Sequence, residues 1–489
     1  MVNFKEKLIQ GFAWQASTKL LVQILSWIST IWVARILTPE DYGLVALAGM
    51  VTGIFVLLAS SGLAAGLVNR TNVVKEELDT MFWLSLLAGV FFYFSIFITA
   101  GSVSDFYDEP ELANLIKFQG LFVVIASIKI VPSVCALREF DYKFISLTDM
   151  VGGLTVIVIT LSMAIMGYEY WSLVVGTVIA ELIMTIIYFL KYRYLPLLVL
   201  QYAKVKDVFR FGLTLFSSRG VSYISMYLPV FLISNYSNVQ VTGHYKMAHT
   251  LAHLPSSKVG SLFQNLIFPT MSRIKENKEL SRNTFIQMHT SLLFVTGPMF
   301  LGLALLAESI VVLLLTEKWL PIVFPFQVLC VIAILRLSAK FITGALEGLA
   351  LANVSLQYQI LTVLVCGPSM LIGLLIGDLN MMLLFWALST PVAYLFLLNK
   401  IAKELAIAWY SILTPIIPLF FSLFLMSLAV FYIHGIYLDT YGEIYKIVFS
   451  ILVGVVTYSV CLLLFAKQYL VKVLNLAKNS FKPKSKICE

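Results

Sequence analysis

Residues 13–30 read AWQASTKLLVQILSWIST and have the apolar character of a membrane helix with a lysine inside it. Because an α-helix turns once in about 3.6 residues, five polar side chains share one narrow face: Gln15, Lys19, Gln23, Ser26 and Thr30. An ammonium group in hydrocarbon costs roughly 2.5–3.5 kcal/mol on insertion scales, so it needs a partner, a wet cavity or access to the interface. This stretch predicts a transmembrane helix whose polar face is turned toward a central cleft.

The composition of the chain excludes a soluble protein. Of its 489 residues, 60% are hydrophobic and 12% are charged, whereas soluble domains have about 45–50% and about 25%. The five cysteines are an odd number and have no CxxC spacing, so we interpret them as reduced packing residues, not as disulfide or metal ligands. We therefore predict an all-α, polytopic integral membrane protein.

Apolar segments that could each cross a hydrocarbon core of roughly 30 Å recur along the whole chain. They predict about fourteen transmembrane helices with short connections and no soluble domain. The helix near 322–345 is the least clear of them, because Arg336 and Lys340 interrupt it. The predicted segments lie near 11–35, 42–68, 80–101, 113–136, 148–167, 171–190, 211–234, 241–270, 285–307, 322–345, 355–376, 381–398, 412–433 and 444–466.

Lysine and arginine are concentrated in alternate loops, whereas the loop DFYDEPE at 105–111 is purely acidic. Cytoplasmic loops of membrane proteins carry the excess of basic residues, which predicts cytoplasmic termini for an even number of helices. The lysine-rich tail at 467–489 is suited to anionic cytoplasmic lipid. We therefore expect a multi-pass protein with both termini in the cytoplasm.

A weak internal repeat relates positions 200 residues apart. With this offset Lys19 meets Arg219, and Gly43 meets Gly243. Such a repeat predicts two six-helix lobes of the same orientation, with an interlobe connection at 191–212 that includes a short interfacial helix. The predicted division is an N-terminal lobe at 1–200, a C-terminal lobe at 201–400, helices 13 and 14 at 401–466 and the basic tail at 467–489.

The charges inside the predicted helices are mostly cationic. Lysines and arginines stand at Lys19, Lys117, Lys129, Arg219, Lys246, Lys258, Arg336 and Lys340, against acids at Asp149, Glu181 and Glu347. Long basic side chains can reach the interface by snorkelling, which is the alternative for several of them. An excess that ion pairs cannot neutralise instead indicates a cavity for an anionic guest.

Two groups of these charges have informative spacings. Arg336 and Lys340 are separated by one helical turn and repel each other, so they form either a fork for a phosphate or diphosphate, or a pair quenched by a neighbouring acid. Lys246, His249 and His253 share one helix face next to Pro255, and the histidines lack a third zinc ligand. We interpret them as a titrating or sugar-contacting wall, with hydrogen-bonded neutral histidines as the alternative.

The two acids offer a site for a coupling cation. Glu181 is near the middle of the sixth predicted helix, where it either pairs with a cation or carries a proton or sodium ion. Asp149 is expected near a helix N-terminus, where the macrodipole alone would explain it.

Residues 11–70 resemble the opening of the bacterial Wzx-type polysaccharide flippases, in the branch that serves colanic acid, teichuronic acid and related exopolysaccharides. The family pattern between helices 1 and 2 reads here as ARILTPEDYG, and a second pattern after helix 8 reads as FPTMSRI at 268–274. The resemblance implies a MATE-like fold that moves an undecaprenyl-diphosphate-linked oligosaccharide from the cytoplasmic to the periplasmic leaflet by alternating access. In the related lipid II flippases basic residues of helices 1 and 8 line the cavity, to which Lys19, Lys246 and Lys258 correspond by position. The arginines of their second helix have no counterpart here.

Together these observations predict a non-enzymatic exporter in the bacterial inner membrane, with no nucleic-acid partner and no cofactor beyond a proton or sodium ion. A polysaccharide polymerase and a chain-length regulator are the expected protein partners, beside membrane lipids. A multidrug exporter of the same fold is the alternative, although cationic drugs favour carboxylates, and a membrane enzyme would need a larger soluble segment. The predicted substrate-binding residues are Lys19, Gln23, Lys129, Arg219, Lys246, His249, His253, Lys258, Arg336 and Lys340, and the predicted ion-coupling residues are Glu181 and Asp149.

Overall fold

The structure is a computed structural model that describes residues 2–60, 67, 73–414, 416–433 and 442–465. Side chains are described for 18–59, 67, 73–201, 219–408, 410–412, 414, 416–433 and 442–465. The helices of the first half are α1 (Val2–Ile36), α2 (Pro39–Ser60), α3 (Lys75–Tyr107), α4 (Pro110–Arg138), α5 (Tyr142–Ile165), α6 (Trp171–Tyr192), α7 (Tyr202–Tyr236) and α8 (Val239–Ile274). The second half has α9 (Lys278–Leu305), α10 (Ala307–Leu315), a 3₁₀ helix (Glu317–Ile322), α11 (Val323–Gly348), α12 (Ala352–Ile376), α13 (Leu379–Glu404), α14 (Trp409–Leu413), α15 (Ile416–Tyr432) and α16 (Glu443–Phe465).

The all-helical membrane fold is confirmed. Among the described residues, 11 helices are long and apolar enough to cross a membrane. Helices α7, α8 and α15 occupy the remaining three predicted positions. The doubtful segment near 322–345 is one continuous helix, α11, which carries Arg336 and Lys340 on its surface.

Several predicted helix boundaries are wrong by more than a turn, because hydropathy marks only the part of a helix inside the hydrocarbon. Helix α3 begins at Lys75 and not near residue 80, so the buried Asp79 lies inside it. The expected interfacial helix between the lobes is not formed by residues 193–201, which are non-helical. Pro196 explains part of this, since proline removes a backbone donor and pushes the preceding residue out of the helical region.

Contacts divide the chain into two compact units, Met1–Lys246 and Met247–Glu489. In the first unit, α3 packs on α4, α5 on α6, and α1 on α5. The second unit has one core cluster between α8, α9, α11 and α13, centred on Phe285 and Phe341. A further cluster joins α9 to α15 and α16. The lobe boundaries at 200 and 400 stay a prediction.

The first turns of α2 and α8 meet at two glycines of the first unit. A Cβ atom on Gly43 would overlap the carbonyl oxygen of Val239, and a Cβ atom on Gly243 would overlap that of Pro39. The two contacts are reciprocal, because Pro39 and Val239 are also 200 residues apart. When two repeats contact each other around a twofold axis, each residue meets the partner of its own equivalent. The contacts Gly43 to Val239 and Gly243 to Pro39 follow that rule for an offset of 200 residues.

Candidate functional site

The first unit contains an ion pair that the sequence offered as one alternative for Glu181. The Nζ atom of Lys129 on α4 lies 2.6 Å from Oε1 of Glu181 on α6. The Glu181 side chain is 5% exposed and that of Lys129 is 20% exposed. Since α4 packs on α6, the helix packing itself holds these two charges together. Lys129 therefore has a carboxylate partner and does not add to an excess of positive charge.

Asp149 and Lys19 extend this pair into a cluster of four charges. Helix α1 packs on α5, and the charges of both Lys19 and Lys129 attract the carboxylate of Asp149. The cluster brings two lysines and two acids near one another, and its close ion pair is that of Lys129 with Glu181.

The expectation that a helix N-terminus explains Asp149 is wrong. Helix α5 begins at Tyr142, so Asp149 is two turns inside it, whereas the effect of the macrodipole falls off within the first turn. Lys19 is exposed, and Gln23, Ser26 and Thr30 are partly buried along the polar face of α1. The hydroxyl of Thr30 donates to the carbonyl oxygen of Ser26 at 2.8 Å, which satisfies one polar group on that face.

The second unit contains a groove between α8 and α11. The groove encloses about 630 Å³ of empty space, including the part that opens outward. Four nitrogen-bearing side chains and two serines line it, namely His249, His253, Arg336, Lys340, Ser256 and Ser257. Its apolar wall includes Leu329 and Ile332. The structure thereby brings Arg336 and Lys340 together with His249 and His253, two pairs that the sequence analysis treated separately.

The histidine and arginine side chains have defined neighbours. The rings of His249 and His253 stack at 5.7 Å between centroids with 19° between their planes, as their spacing of one helical turn allows. The guanidinium carbon of Arg336 lies 5.7 Å from the centre of the Trp386 ring, a cation–π distance. This contact holds the guanidinium next to Trp386, and the planar group has five N–H donors that suit an anion.

The groove is positively charged. Arg336 and Lys340 both line it, and no carboxylate does so in the part of the chain that the structure describes. Glu347 is exposed on α11 but is not a lining residue. The groove can therefore accept an anion with bidentate contacts from Arg336 and a point charge from Lys340.

The other predicted binding residues are not brought into this groove by the described contacts. Lys258 is half-buried on α8, Lys246 is half-buried and belongs to the first unit, and Arg219 is exposed on α7. The ammonium of Lys117 lies over the ring of Phe97 at 4.9 Å from its centroid. Within the described ranges, no group of three or more His, Cys, Asp or Glu residues could hold a metal ion.

A buried hydrogen-bonded cluster in the second unit has no counterpart in the sequence predictions. The Nε2 atom of His289 on α9 lies 2.6 Å from the hydroxyl of Ser338 on α11, which lies 2.7 Å from the hydroxyl of Tyr394 on α13. The His289 ring packs against Phe285 and Phe341 at 5.5 and 5.8 Å between ring centroids, and these two phenylalanines also contact each other at 5.9 Å. The cluster joins α9, α11 and α13. Its member on α11, Ser338, is two residues from Arg336.

Replacing His289 by alanine should lower the stability of the protein by about 2–4 kcal/mol, because the change removes a buried ring and one of the two hydrogen-bond partners of Ser338. Thermal unfolding of the purified protein in detergent measures the loss. Tyr394→Phe is the matched control, since it keeps the ring and should cost about 1 kcal/mol. Equal melting temperatures of His289→Ala and the wild type would contradict a stabilising role.

Comparisons with solved structures identify the fold. A structure of the lipid II flippase MurJ in an inward closed conformation superposes with a TM-score of 0.72, over 93% of this chain and 99% of that chain, at 13% identity. An inward-facing multidrug resistance MATE family transporter of the MOP superfamily superposes with a TM-score of 0.60, over 78% and 95%, at 16% identity. The chain therefore has a MATE-like fold.

The family follows from the sequence itself. Residues 32–324 match the family described as polysaccharide biosynthesis protein, and the chain belongs to that family. The lipopolysaccharide biosynthesis protein WzxC of Escherichia coli is 24% identical over 379 residues, 76% of each chain. The teichuronic acid biosynthesis protein TuaB of Bacillus subtilis is 23% identical over 426 residues, 85% of this chain and 87% of that one. The resemblance to Wzx-type exporters is confirmed.

Proposed function

We propose that the protein is a flippase that moves an undecaprenyl-diphosphate-linked oligosaccharide from the cytoplasmic to the outer leaflet of the bacterial inner membrane. The observation that carries this proposal is the groove between α8 and α11, whose described lining has two permanent cations and no carboxylate. A lipid diphosphate is an anion of matching charge. Membership of a polysaccharide biosynthesis family supports the same substrate class.

In this proposal the diphosphate is the group that the groove recognises. Arg336 offers paired donors to one phosphate, and Lys340 one turn away neutralises the other. His249 and His253, with Ser256 and Ser257, offer donors and acceptors to the first sugars. The polyprenyl tail stays in the lipid, where its burial costs nothing. Four further predicted residues are proposed to guide the headgroup by charge: Lys19, Arg219, Lys246 and Lys258. Gln23 is proposed to contribute hydrogen bonds, and Lys129 to contribute only when it is released from Glu181.

Transport is proposed to use alternating access of the predicted lobes, reset by a proton or sodium ion. The cluster of Lys19, Lys129, Asp149 and Glu181 supports this role, because it places two carboxylates, one of them buried, among apolar helices of the first unit. Binding of one cation to Glu181 would release Lys129 from its partner. No covalent chemistry is required. Both termini are proposed to be cytoplasmic, with a polymerase and a chain-length regulator as partners on the export route.

The alternative is a multidrug exporter coupled to protons or sodium. Its support is the shared fold alone, since the superposed multidrug transporter is only 16% identical. The charge of the groove supports the flippase over the multidrug exporter, because cationic drugs need carboxylates where this groove has an arginine and a lysine.

Replacing both cations of the groove tests the proposal. The double variant Arg336→Gln with Lys340→Gln should lower export at least about tenfold, because each charge-assisted hydrogen bond contributes roughly 1.5–3 kcal/mol. Lipid-linked oligosaccharides that accumulate inside should rise correspondingly, as measured by mass spectrometry beside the amount of surface polysaccharide. Binding of undecaprenyl diphosphate to the purified protein should weaken as well.

Lys278→Gln with Arg282→Gln is the matched control. These residues have the same spacing, are exposed and lie at the start of α9 outside the groove. The control should export normally. Normal surface polysaccharide from the inserted groove variant would refute the proposal, and a selective loss of drug resistance would favour the multidrug exporter.

A further inference from the structure

The connection between α6 and α7 is apolar although it is not helical. Residues 193–201 read RYLPLLVLQ, and four of its leucines are among the most exposed apolar side chains of the protein. Leu195 and Leu198 are each 78% exposed, Leu197 is 56% and Leu200 is 58% exposed. A loop that ran through water would not gain by displaying four leucines, so this segment, the leucine strap, needs an apolar surrounding.

The backbone of the strap is hydrogen-bonded to side chains of α3. The indole nitrogen of Trp83 donates to the carbonyl oxygen of Leu197 at 2.9 Å. The hydroxyl of Thr80 accepts from the amide of Gln201 at 3.1 Å. Its hydrogen is shared between the carbonyl oxygens of Glu76 at 2.7 Å and Val199 at 3.1 Å. Backbone groups in water need no such partners, whereas non-helical backbone at membrane depth is tolerated only when protein satisfies it.

Tyr194 fixes the start of the strap. Its hydroxyl donates to Oδ1 of Asp79 at 2.7 Å, and its ring packs on that of Phe82 with 5.8 Å between centroids. Burial and the hydrogen bond to Asp79 raise the pKa of the Tyr194 phenol, so it remains a donor at every physiological pH. The strap is therefore held against α3 at its first residues as well as along its length.

The strap continues a lipid-facing stripe of α3. Leu87, Phe91 and Phe94 follow Trp83 at helical spacing and are 57%, 65% and 62% exposed, as expected for side chains in contact with acyl chains. Trp83 stands at the end of this stripe, two turns from the start of α3 at Lys75. Tryptophan is enriched at that depth, where the hydrocarbon meets the headgroups.

Basic residues flank the leucines. Lys191 precedes the strap and Arg193 is its first residue, and both are exposed. The sequence that follows the strap has Lys204, Lys206 and Arg210. In an anionic membrane surface the leucines would contact acyl chains, and the lysines and arginines would contact the negatively charged headgroups. A protein partner that added a strand here would need the free carbonyl groups that Trp83 and Thr80 already occupy.

We propose that residues 193–201 form a membrane-binding strap whose leucines insert among the acyl chains of an anionic leaflet, at its boundary with the headgroups. The strap anchors the connection that precedes α7 to the leaflet next to the N-terminus of α3. This inference assigns a lipid-binding surface and does not depend on the transported substrate.

A fluorescent residue incorporated genetically at Leu198 tests the strap in the full-length protein. The protein is reconstituted into vesicles of phosphatidylethanolamine and phosphatidylglycerol, and quenching by brominated acyl chains is compared with quenching by aqueous iodide. We expect the probe at Leu198 to be quenched at least about threefold more by brominated lipid than by iodide. A probe at the exposed Glu276, in the turn between α8 and α9, should have the opposite ratio.

Trp83→Phe tests the hydrogen bond that holds the strap. The change keeps an aromatic ring and removes the N–H donor to Leu197, so quenching of the Leu198 probe by iodide should rise about twofold. Trp32→Phe, at an exposed tryptophan of α1, should leave it unchanged. Equal iodide quenching at Leu198 and Glu276 in the otherwise wild-type protein would overturn the proposal, as would a Leu198 probe that neither quencher reaches.

Discussion

Gly243→Ala is expected to abolish export and to reduce sharply the amount of folded protein. The added Cβ atom would overlap the carbonyl oxygen of Pro39 and lie 3.0 Å from the amide nitrogen of Gly43. Both obstructing atoms belong to the backbone of α2, which cannot rotate away as a side chain can. Overpacking of well-packed interiors typically costs about 1–3 kcal/mol of stability. Because the overlapping atoms are backbone atoms, we expect the loss of stability in this variant to be at or above about 3 kcal/mol, the upper end of that range.

The same substitution at Gly43 should have a comparable effect, since its Cβ atom would overlap the carbonyl oxygen of Val239. Because both variants push apart the same two first turns, the double variant should lose less stability than the sum of the single losses. Melting temperature in detergent and surface polysaccharide in cells provide the two measurements.

Gly302→Ala is the matched control, because nothing lies within 4 Å of an added Cβ atom at Gly302 inside α9. Alanine favours a helix interior over glycine by roughly 1 kcal/mol, so this control should melt at or above the wild-type temperature. A Gly243→Ala protein that melts and exports like the control would show that α2 and α8 can separate without loss.

The helices were predictable from sequence because hydropathy reports directly on the hydrocarbon that they cross. Their ends were not, since α8 continues to Ile274 and α3 starts at Lys75, outside the apolar windows. Asp79 was missed for this reason, as it fell outside the predicted segment. The sequence indicated only that Gly43 and Gly243 occupy equivalent positions of the repeat. That the backbones of α2 and α8 approach each other closely at these glycines is visible only in the structure.

The candidate site was predictable only within single helices. The spacing of one turn joins Arg336 to Lys340 and His249 to His253, but sequence spacing does not indicate that α8 and α11 form a common groove. It also does not indicate which cation pairs with which acid. Pairing with a cation was one of two alternatives for Glu181, and the structure identifies Lys129 as its partner.

His289 was overlooked because a single histidine in an apolar helix has no spacing that distinguishes it. Its partners Ser338 and Tyr394 are 49 and 105 residues away. The only signal was that a polar ring inside a membrane helix needs a hydrogen-bond partner, which does not identify one.

Lys129→Gln is expected to destabilise the first unit more than any other single change in its charge cluster. The change leaves the carboxylate of Glu181, 5% exposed, without the ammonium that lies 2.6 Å from it. Removing one partner of a buried ion pair costs about 3–5 kcal/mol, because the other charge stays buried without compensation. Glu181→Gln should cost less, since Lys129 is more exposed and Asp149 also attracts it.

The double variant Lys129→Gln with Glu181→Gln separates stability from transport. Two neutral amides can hydrogen-bond to each other, so the melting temperature should recover most of the loss caused by Lys129→Gln alone. Export should nevertheless lose its dependence on the proton or sodium gradient, if the cation binds where Glu181 stands. Export that keeps the wild-type gradient dependence in this stable double variant would assign the pair a structural role, and the coupling cation would then have to bind at Asp149 or elsewhere.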